Sequence, residues 1–222
     1  MTSDTNDPVL AVDEPPAGGP PGAEGPTVPS ENPRSSTARW LREGVIVVVV
    51  AVLVAVLLRA FVVQTFYIPS GSMEPTLQIG DRILVDKLSY HLHGVDRGDI
   101  VVFSRPPAEN CGGPEVNDLV KRVIGLPGDV LSLSSNHDVV VDGKSLNEAW
   151  LPSMEQGNTF PGPGGTGFNL ARPYRVPANN YFVMGDNRTD SCDSRYWGPI
   201  TKSLIVGKVD VRVWPISSLR IF

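Results

Sequence analysis

Nineteen consecutive residues, VIVVVVAVLVAVLLRAFVV from Val45 to Val63, contain one charge, Arg59. At roughly 1.5 Å per residue, a helix of this length matches the ~30 Å hydrocarbon core of a bilayer. Arg59 lies near the end of the run, where its side chain can reach the interface, and Trp40 suits the opposite headgroup layer. The sequence before the run is too long for the n-region of a cleaved leader, the run exceeds an h-region, and no A-x-A follows it. It therefore predicts a membrane anchor over 44–63. Arg34, Arg39 and Arg42 precede it, so the positive-inside rule puts the N-terminus in the cytoplasm and residues 64–222 outside.

The flanking regions differ in kind. Residues 1–43 form a tail whose first part, to about 38, is rich in Pro, Gly, Ser, Thr and acids; it cannot bury enough surface to offset its ordering entropy, which predicts disorder. From 64 to 222 the pattern is mainly β. RILVDKL and DIVVF are short apolar runs introduced by Gly-Asp turns, LVKRVIG is closed by LPGD, and YFVMG and KVDVRVW complete the series. In DVVVDGKSL, Asp142-Gly143 between strand-like flanks is a strong hairpin signal. Residues 147–173 lack periodicity and read as a mobile insertion or small subdomain. The net charge of −5 provides no basic stripe for phosphates, which argues against a nucleic-acid partner.

Three segments could carry chemistry. IPSGSMEPTL, Ile68 to Leu77, places two serines around a glycine between two prolines, but a serine hydroxyl needs a base to become a nucleophile. The three histidines do not supply one convincingly. His91 and His93 sit in a polar loop, His137 lies beside a hairpin, and the H-x-H pair lacks a third metal ligand with suitable spacing. A lysine can act as base if an apolar setting depresses its pKa by roughly three units. Lys121, among Leu119, Val120, Val123 and Ile124, fits that description; it also fits an edge-strand lysine that discourages aggregation. In MGDNRTDSCDSRYWG, Met184 to Gly198, the crowded Asp and Arg residues suit either a solvated loop or a polar scaffold around a site. Cys111 and Cys192 form no C-x-x-C pair.

SGSMEPTL, KRVIGLPGD and GDNRTDSCDSRYWG, in that order, resemble the signature boxes of bacterial type I signal peptidase, and RGDIVVF, Arg97 to Phe103, resembles a fourth, structural box. Together they frame residues from about 60 to 222 behind an N-terminal anchor. The resemblance implies a serine endopeptidase that removes signal peptides by a Ser-Lys dyad. Ser72 matches the nucleophile and Lys121 the general base. Ser70 matches the hydroxyl that joins the Ser72 N–H in the oxyanion hole, and Ser191 a serine that orients the lysine amine. Asp186 with Arg122, and Asp193 with Arg195, match supporting ion pairs. Thr189, Asp190 and Cys192 depart from the commonest pattern at non-catalytic positions. An exported domain can form disulfides, which makes a Cys111–Cys192 bridge an open question.

The substrate is then expected to add as a strand beside the one carrying Lys121. Phe66, Ile68, Pro69, Met73, Leu77, Asp118, Leu119 and Val120 are expected to line pockets that admit small residues one and three before the cut. The partners implied are preproteins emerging from the export machinery and membrane lipid, with Met73 and nearby apolar residues dipping into the outer leaflet. No cofactor or metal is expected. Two other classes fit parts of the chain: a Ser-Lys self-cleaving protein, which calls for an N-terminal DNA-binding domain, and a non-catalytic tethered β domain that binds exported chains, which has no use for Lys121.

Overall fold

The computed structural model describes residues 34–61, 63–112 and 116–222, with side chains placed for 39–56, 63–112 and 116–222. The expected tail lies outside these residues up to 33. Its last ten do not behave as tail, because helix α1 (Arg34–Phe61) begins there. The stretch RSSTARWLRE supplies Ala, Leu, Arg and Glu, all good helix formers. The helix stops at Phe61 and Val63 already belongs to a strand, so the expected span over 44–63 is shortened at its C-terminal end. Among the described residues no helix is long and apolar enough to cross a membrane. The described side chains of α1 include Arg39, Arg42 and Glu43 at one end, followed by exposed Val45–Val50, Val52–Val54 and Val56.

The rest of the described chain is mainly β. The strands are β1 (Val63–Tyr67), β2 (Arg82–Asp86), β3 (Ile100–Ser104), β4 (Asp118–Gly125), β5 (Val130–Leu133), β6 (Val139–Val141), β7 (Lys144–Ser145), β8 (Tyr174–Arg175), β9 (Asn180–Met184), β10 (Ile200–Thr201), β11 (Ile205–Trp214) and β12 (Arg220–Ile221). Eight of them form a sheet in the order β1-β2-β11-β3-β4-β9-β10, with β12 also on β11; the other four form a sheet in the order β7-β6-β5-β8. Every pairing is antiparallel.

Period-2 alternation divides the core. Ile100 and Val102 of β3 join Ile68, Met73, Leu77, Ile83, Val85 and Val209 in one cluster, while Val101 and Phe103 join Val95, Val123, Tyr181, Val183, Trp197 and Ile200 in another. A third cluster, built on Leu131, Val139, Val141, Leu170 and Phe182, fills the smaller sheet. Burying a strand on both faces explains why DIVVF is continuously apolar. The β6–β7 hairpin turns at Asp142 and Gly143, both with positive φ (50° and 78°), as a type I′ turn requires.

Residues 147–173 are not a detached subdomain. Leu151, Thr159 and Leu170 are buried, and so is Glu148, whose carboxylate is held by the buried Arg188 guanidinium. The segment reads as aperiodic because it supplies isolated anchors to the surrounding core and forms no strand or helix of its own.

Candidate active site

Ser72 sits in a single 3₁₀ turn, Gly71–Met73, closed by the Glu74 N–H donating to the Gly71 carbonyl (3.0 Å). The turn is pinned from below. Ile68 pairs with the Gly80–Asp81 backbone, and Met73 and Leu77 are buried beneath it. Arg212 of β11 donates to Thr76 O (3.2 Å) and Asp81 Oδ2 (3.1 Å), tying the far side of the turn to the main sheet.

β4 brings Lys121 to this turn. Adjacent residues of a strand face opposite ways, so Lys121 shares a face with Leu119 and Val123, and Arg122 shares the other with Val120 and Ile124. Lys121 Nζ donates to Ser72 Oγ at 2.6 Å and to Val120 O at 3.2 Å. The lysine is 4% exposed. Burial lowers its pKa from 10.5 to about 8; Asp193, Asp186 and Glu109 pull upward against burial, and Arg195 pushes further down. A lysine so placed carries a sizeable neutral fraction near pH 8, and a neutral amine at hydrogen-bond distance can take a hydroxyl proton. Ser70 Oγ lies 3.4 Å from Ser72 Oγ, on the exposed side of the turn.

The second face of β4 is salt-bridged. Arg122 donates from Nε (2.8 Å) and Nη2 (2.6 Å) to the Asp186 carboxylate and from Nη1 to Gly98 O (2.7 Å). Its guanidinium also lies over the Trp150 ring. Asp193 and Arg195 form a further bidentate pair, at 2.8 and 2.6 Å. Burial alone would raise the Asp193 carboxyl; the Arg195 charge and three kinds of donated hydrogen bond hold it below its ordinary value. Arg195 also donates to the carbonyls of Phe160, Arg188 and Ser191, which fixes the loop between β9 and the short helix α2 (Ser194–Trp197). Gly185, at the start of this loop, has no room for a side chain, since a Cβ there would collide with the Ser72 carbonyl and the Ser191 side chain.

The residues expected from the sequence gather here with three exceptions. Ser191 is buried at the site, but its hydroxyl has no hydrogen-bond partner among the described residues. The bond expected from it to Lys121 is not made; the side chain lies against Gly185, and the amine uses Val120 O as its second acceptor. Leu77 does not line the cleft, because the Leu77 N–H bonds Met73 O and draws the side chain fully into the core. Met73 does line the cleft but is only 1% exposed, so it cannot dip into a lipid leaflet.

The remaining expected residues, Phe66, Ile68, Pro69, Asp118, Leu119 and Val120, line a cleft of about 260 Å³ that also contains Ser70, Ser72 and Lys121. Sequence reasoning missed Arg105, Glu109 and Trp197 in its wall. Arg105 and Glu109 form an ion pair across the Pro106–Pro107 turn, outside any helix, so their spacing gave no sign of it. Cys111 and Cys192 are joined in a disulfide with Cα atoms 6.2 Å apart, and Cys192 lines the cleft. The bridge ties the loop before β4 to the loop after β9.

A serine hydroxyl within hydrogen-bond distance of a buried lysine, in a cleft beside β strands, is an arrangement that suits a serine hydrolase. Residues 40–214 match the family model described as signal peptidase, peptidase S26. A probable signal peptidase I-2 of Synechocystis sp. is 40% identical over 190 residues, covering 84% of this chain and 78% of that protein. A signal peptidase I of Leptolyngbya laminosa is 36% identical, covering 87% and 91%, and one of Bacillus caldolyticus is 41% identical, covering 75% and 87%. The crystal structure of a signal peptidase I from Enterococcus faecalis is 28% identical and covers 52% of this chain and 97% of its own, with a TM-score of 0.38. The chain belongs to the signal peptidase family, peptidase S26, and is a serine peptidase of that family.

Proposed function

We propose that this chain is a membrane-anchored endopeptidase that removes N-terminal signal peptides from exported preproteins by acyl transfer from Ser72, with Lys121 as general base. The observation that carries this reading is the 2.6 Å contact between Lys121 Nζ and Ser72 Oγ at a buried lysine. Neutral Lys121 accepts the hydroxyl proton as Ser72 Oγ bonds to the scissile carbonyl carbon. The carbon–nitrogen bond then breaks, and the lysine returns its proton to the leaving amine, the new N-terminus of the mature protein. Water, deprotonated by the same amine, hydrolyses the ester and frees the signal peptide. The Ser70 hydroxyl and Ser72 N–H donate to the oxyanion.

The cleft geometry favours an extended substrate. β4 pairs with β9 only from Arg122 onward, so among the described residues Asp118–Lys121 hydrogen-bond on one side only, to β3. β1 lies at the end of its sheet and leads into Ile68–Ser70. A peptide between these two stretches can add as a strand, its alternate side chains meeting Phe66, Ile68, Met73 and Val120 on one side and Leu119 on the other. Alanine-sized side chains one and three residues before the cut are the expected occupants of the two sides of this cleft.

The anchor is the apolar run of α1, which enters the membrane from a cytoplasmic N-terminus and leaves the β domain on the far side. The exposed valines and leucines of α1 support it, since a soluble helix does not present an apolar surface all around. The helical part of the run, from Val45 to Phe61, is long enough to span a hydrocarbon core at the lower end of the usual range.

The test uses detergent-solubilised protein and a peptide containing an A-x-A site, beside Ser72→Ala and Lys121→Ala. Cleavage after the second alanine by wild type alone is the expected result. An inert wild type, or a variant of normal rate, overturns the reading.

A further inference from the structure

Asn187 is half-buried, carries no charge, and makes hydrogen bonds in three directions. Its backbone N–H donates to Ser72 O (3.2 Å), and its side-chain Nδ2 donates to Gly71 O (3.3 Å). Its Oδ1 accepts from the Asp190 N–H (3.2 Å), which decides which way round the amide sits, since only the oxygen can accept. Two consecutive carbonyls of the nucleophile turn are thus held by one residue 115 or more positions away in sequence.

The consequence follows from the planarity of the peptide bond. In a trans peptide the C=O of Gly71 and the N–H of Ser72 point in opposite directions within one rigid plane. Gly71 O is held by Asn187 Nδ2 and by the Glu74 N–H (3.0 Å), so the Ser72 N–H is aimed away from Asn187. The next plane is fixed through Ser72 O. The grip is stiff because its base is stiff. Gly185 N receives no freedom from Asp193, whose Oδ2 accepts its hydrogen bond at 3.0 Å, Arg188 Nε donates to Gly185 O at 3.0 Å, and Asp186 is locked to Arg122.

We propose that Asn187 is a positioning residue for acyl transfer: by gripping the carbonyls of Gly71 and Ser72 it aims the Ser72 N–H at the oxyanion that forms during attack. This rests on the assignment of Ser72 as nucleophile. A donor must be in place when charge develops, and the ground-state carbonyl gains much less from it, so losing the grip lowers turnover more than substrate affinity.

The test compares Asn187→Ala and Asn187→Asp with wild type in the full chain, in detergent, on an A-x-A peptide. The alanine variant removes the side-chain grip, and the aspartate keeps the shape and the bond from Asp190 but sets an anionic oxygen against Gly71 O. We expect kcat to fall about tenfold for alanine and about a hundredfold for aspartate, with KM within about threefold of wild type. A peptide aldehyde of the same sequence, whose adduct with Ser72 carries the oxyanion, should lose affinity in the same proportion as kcat. The acid limb of the Asn187→Ala profile should stay in place, because no charge near Lys121 has changed. A normal kcat, a loss confined to KM, or an undiminished aldehyde affinity overturns the proposal. Should the alanine variant fail to fold, the aspartate variant decides by the same readouts. Ser72→Ala separates the two levels: if it cleaves normally the nucleophile is misassigned, and if it is dead while both Asn187 variants keep wild-type kcat, only the positioning role fails.

Discussion

Lys121 and Arg122 are consecutive cations on one strand, 4% and 5% exposed, and the two faces of β4 treat them in opposite ways. Arg122 receives a full set of partners: a bidentate carboxylate, a backbone carbonyl and an indole face. Lys121 receives a hydroxyl and one carbonyl, and no carboxylate among the described residues forms an ion pair with it. Burial without a counter-ion is what lowers the lysine to about 8. Burial with one leaves a permanent structural charge. The strand therefore separates a charge the protein can switch off from one it needs, although the two differ by a single step along the chain.

The largest effect should come from exchanging these treatments. Lys121→Arg keeps the positive charge but places a guanidinium, which does not give up its proton in proteins, where a base is needed. Both it and Lys121→Met should lower kcat by at least about a thousandfold. Lys121→Met removes a buried, unpaired ammonium, so it should unfold in urea no more easily than wild type. Appreciable turnover by the arginine variant would end the contrast between the two faces.

On the other face the expected effect is on stability. Asp186→Asn strips Arg122 of its counter-ion while leaving the guanidinium buried, which costs about 3 kcal/mol. Replacing both, as Arg122→Met with Asp186→Leu, should recover most of that loss, because it removes the charge as well as its partner. Urea unfolding of the single and double variants measures the difference. A single variant as stable as wild type would show that the pair contributes nothing.

Much of this contrast could be read from the sequence. An alternating strand that carries Lys and Arg in succession must place them on opposite faces, and the crowded acids after β9 announced partners for one of them. The Asp142-Gly143 hairpin and the apolar runs of β2, β3, β4, β9 and β11 were equally legible, because period and turn chemistry are local. What was not legible is non-local. Glu148 lies 40 residues before its partner Arg188, in a segment without periodicity, so nothing in its neighbourhood shows that it is buried. Asn187 stood among so many polar residues that its hold on Ser72 could not be singled out. Leu77 was misplaced for a related reason: a sequence reveals that a residue is apolar, and the fold alone decides whether it faces a cleft or a core.

The pH profile tests the lysine directly. A base that works when neutral gains activity as pH rises, so kcat/KM should climb about tenfold per pH unit in acid and level off above about pH 8. The sign is fixed by the lowered pKa. Below it Lys121 holds its proton and cannot accept another from Ser72. A profile falling from acid toward pH 8 would require a different base.

The smallest effect is the most selective. Glu109 is one of the anions that pull the Lys121 pKa upward, and it is ion-paired to Arg105 in the wall of the cleft. In Glu109→Gln that pull disappears and the Arg105 charge is left uncompensated, and both changes favour the neutral amine. The acid limb of kcat should move to lower pH by a fraction of a pH unit. Arg105→Gln does the reverse, freeing the Glu109 charge, and should move the limb to higher pH. The opposed signs matter more than the size, because a general disturbance of the cleft would move both variants the same way. Added salt should shrink both displacements, since the pair lies partly in solvent, while leaving the wild-type plateau where burial has set it.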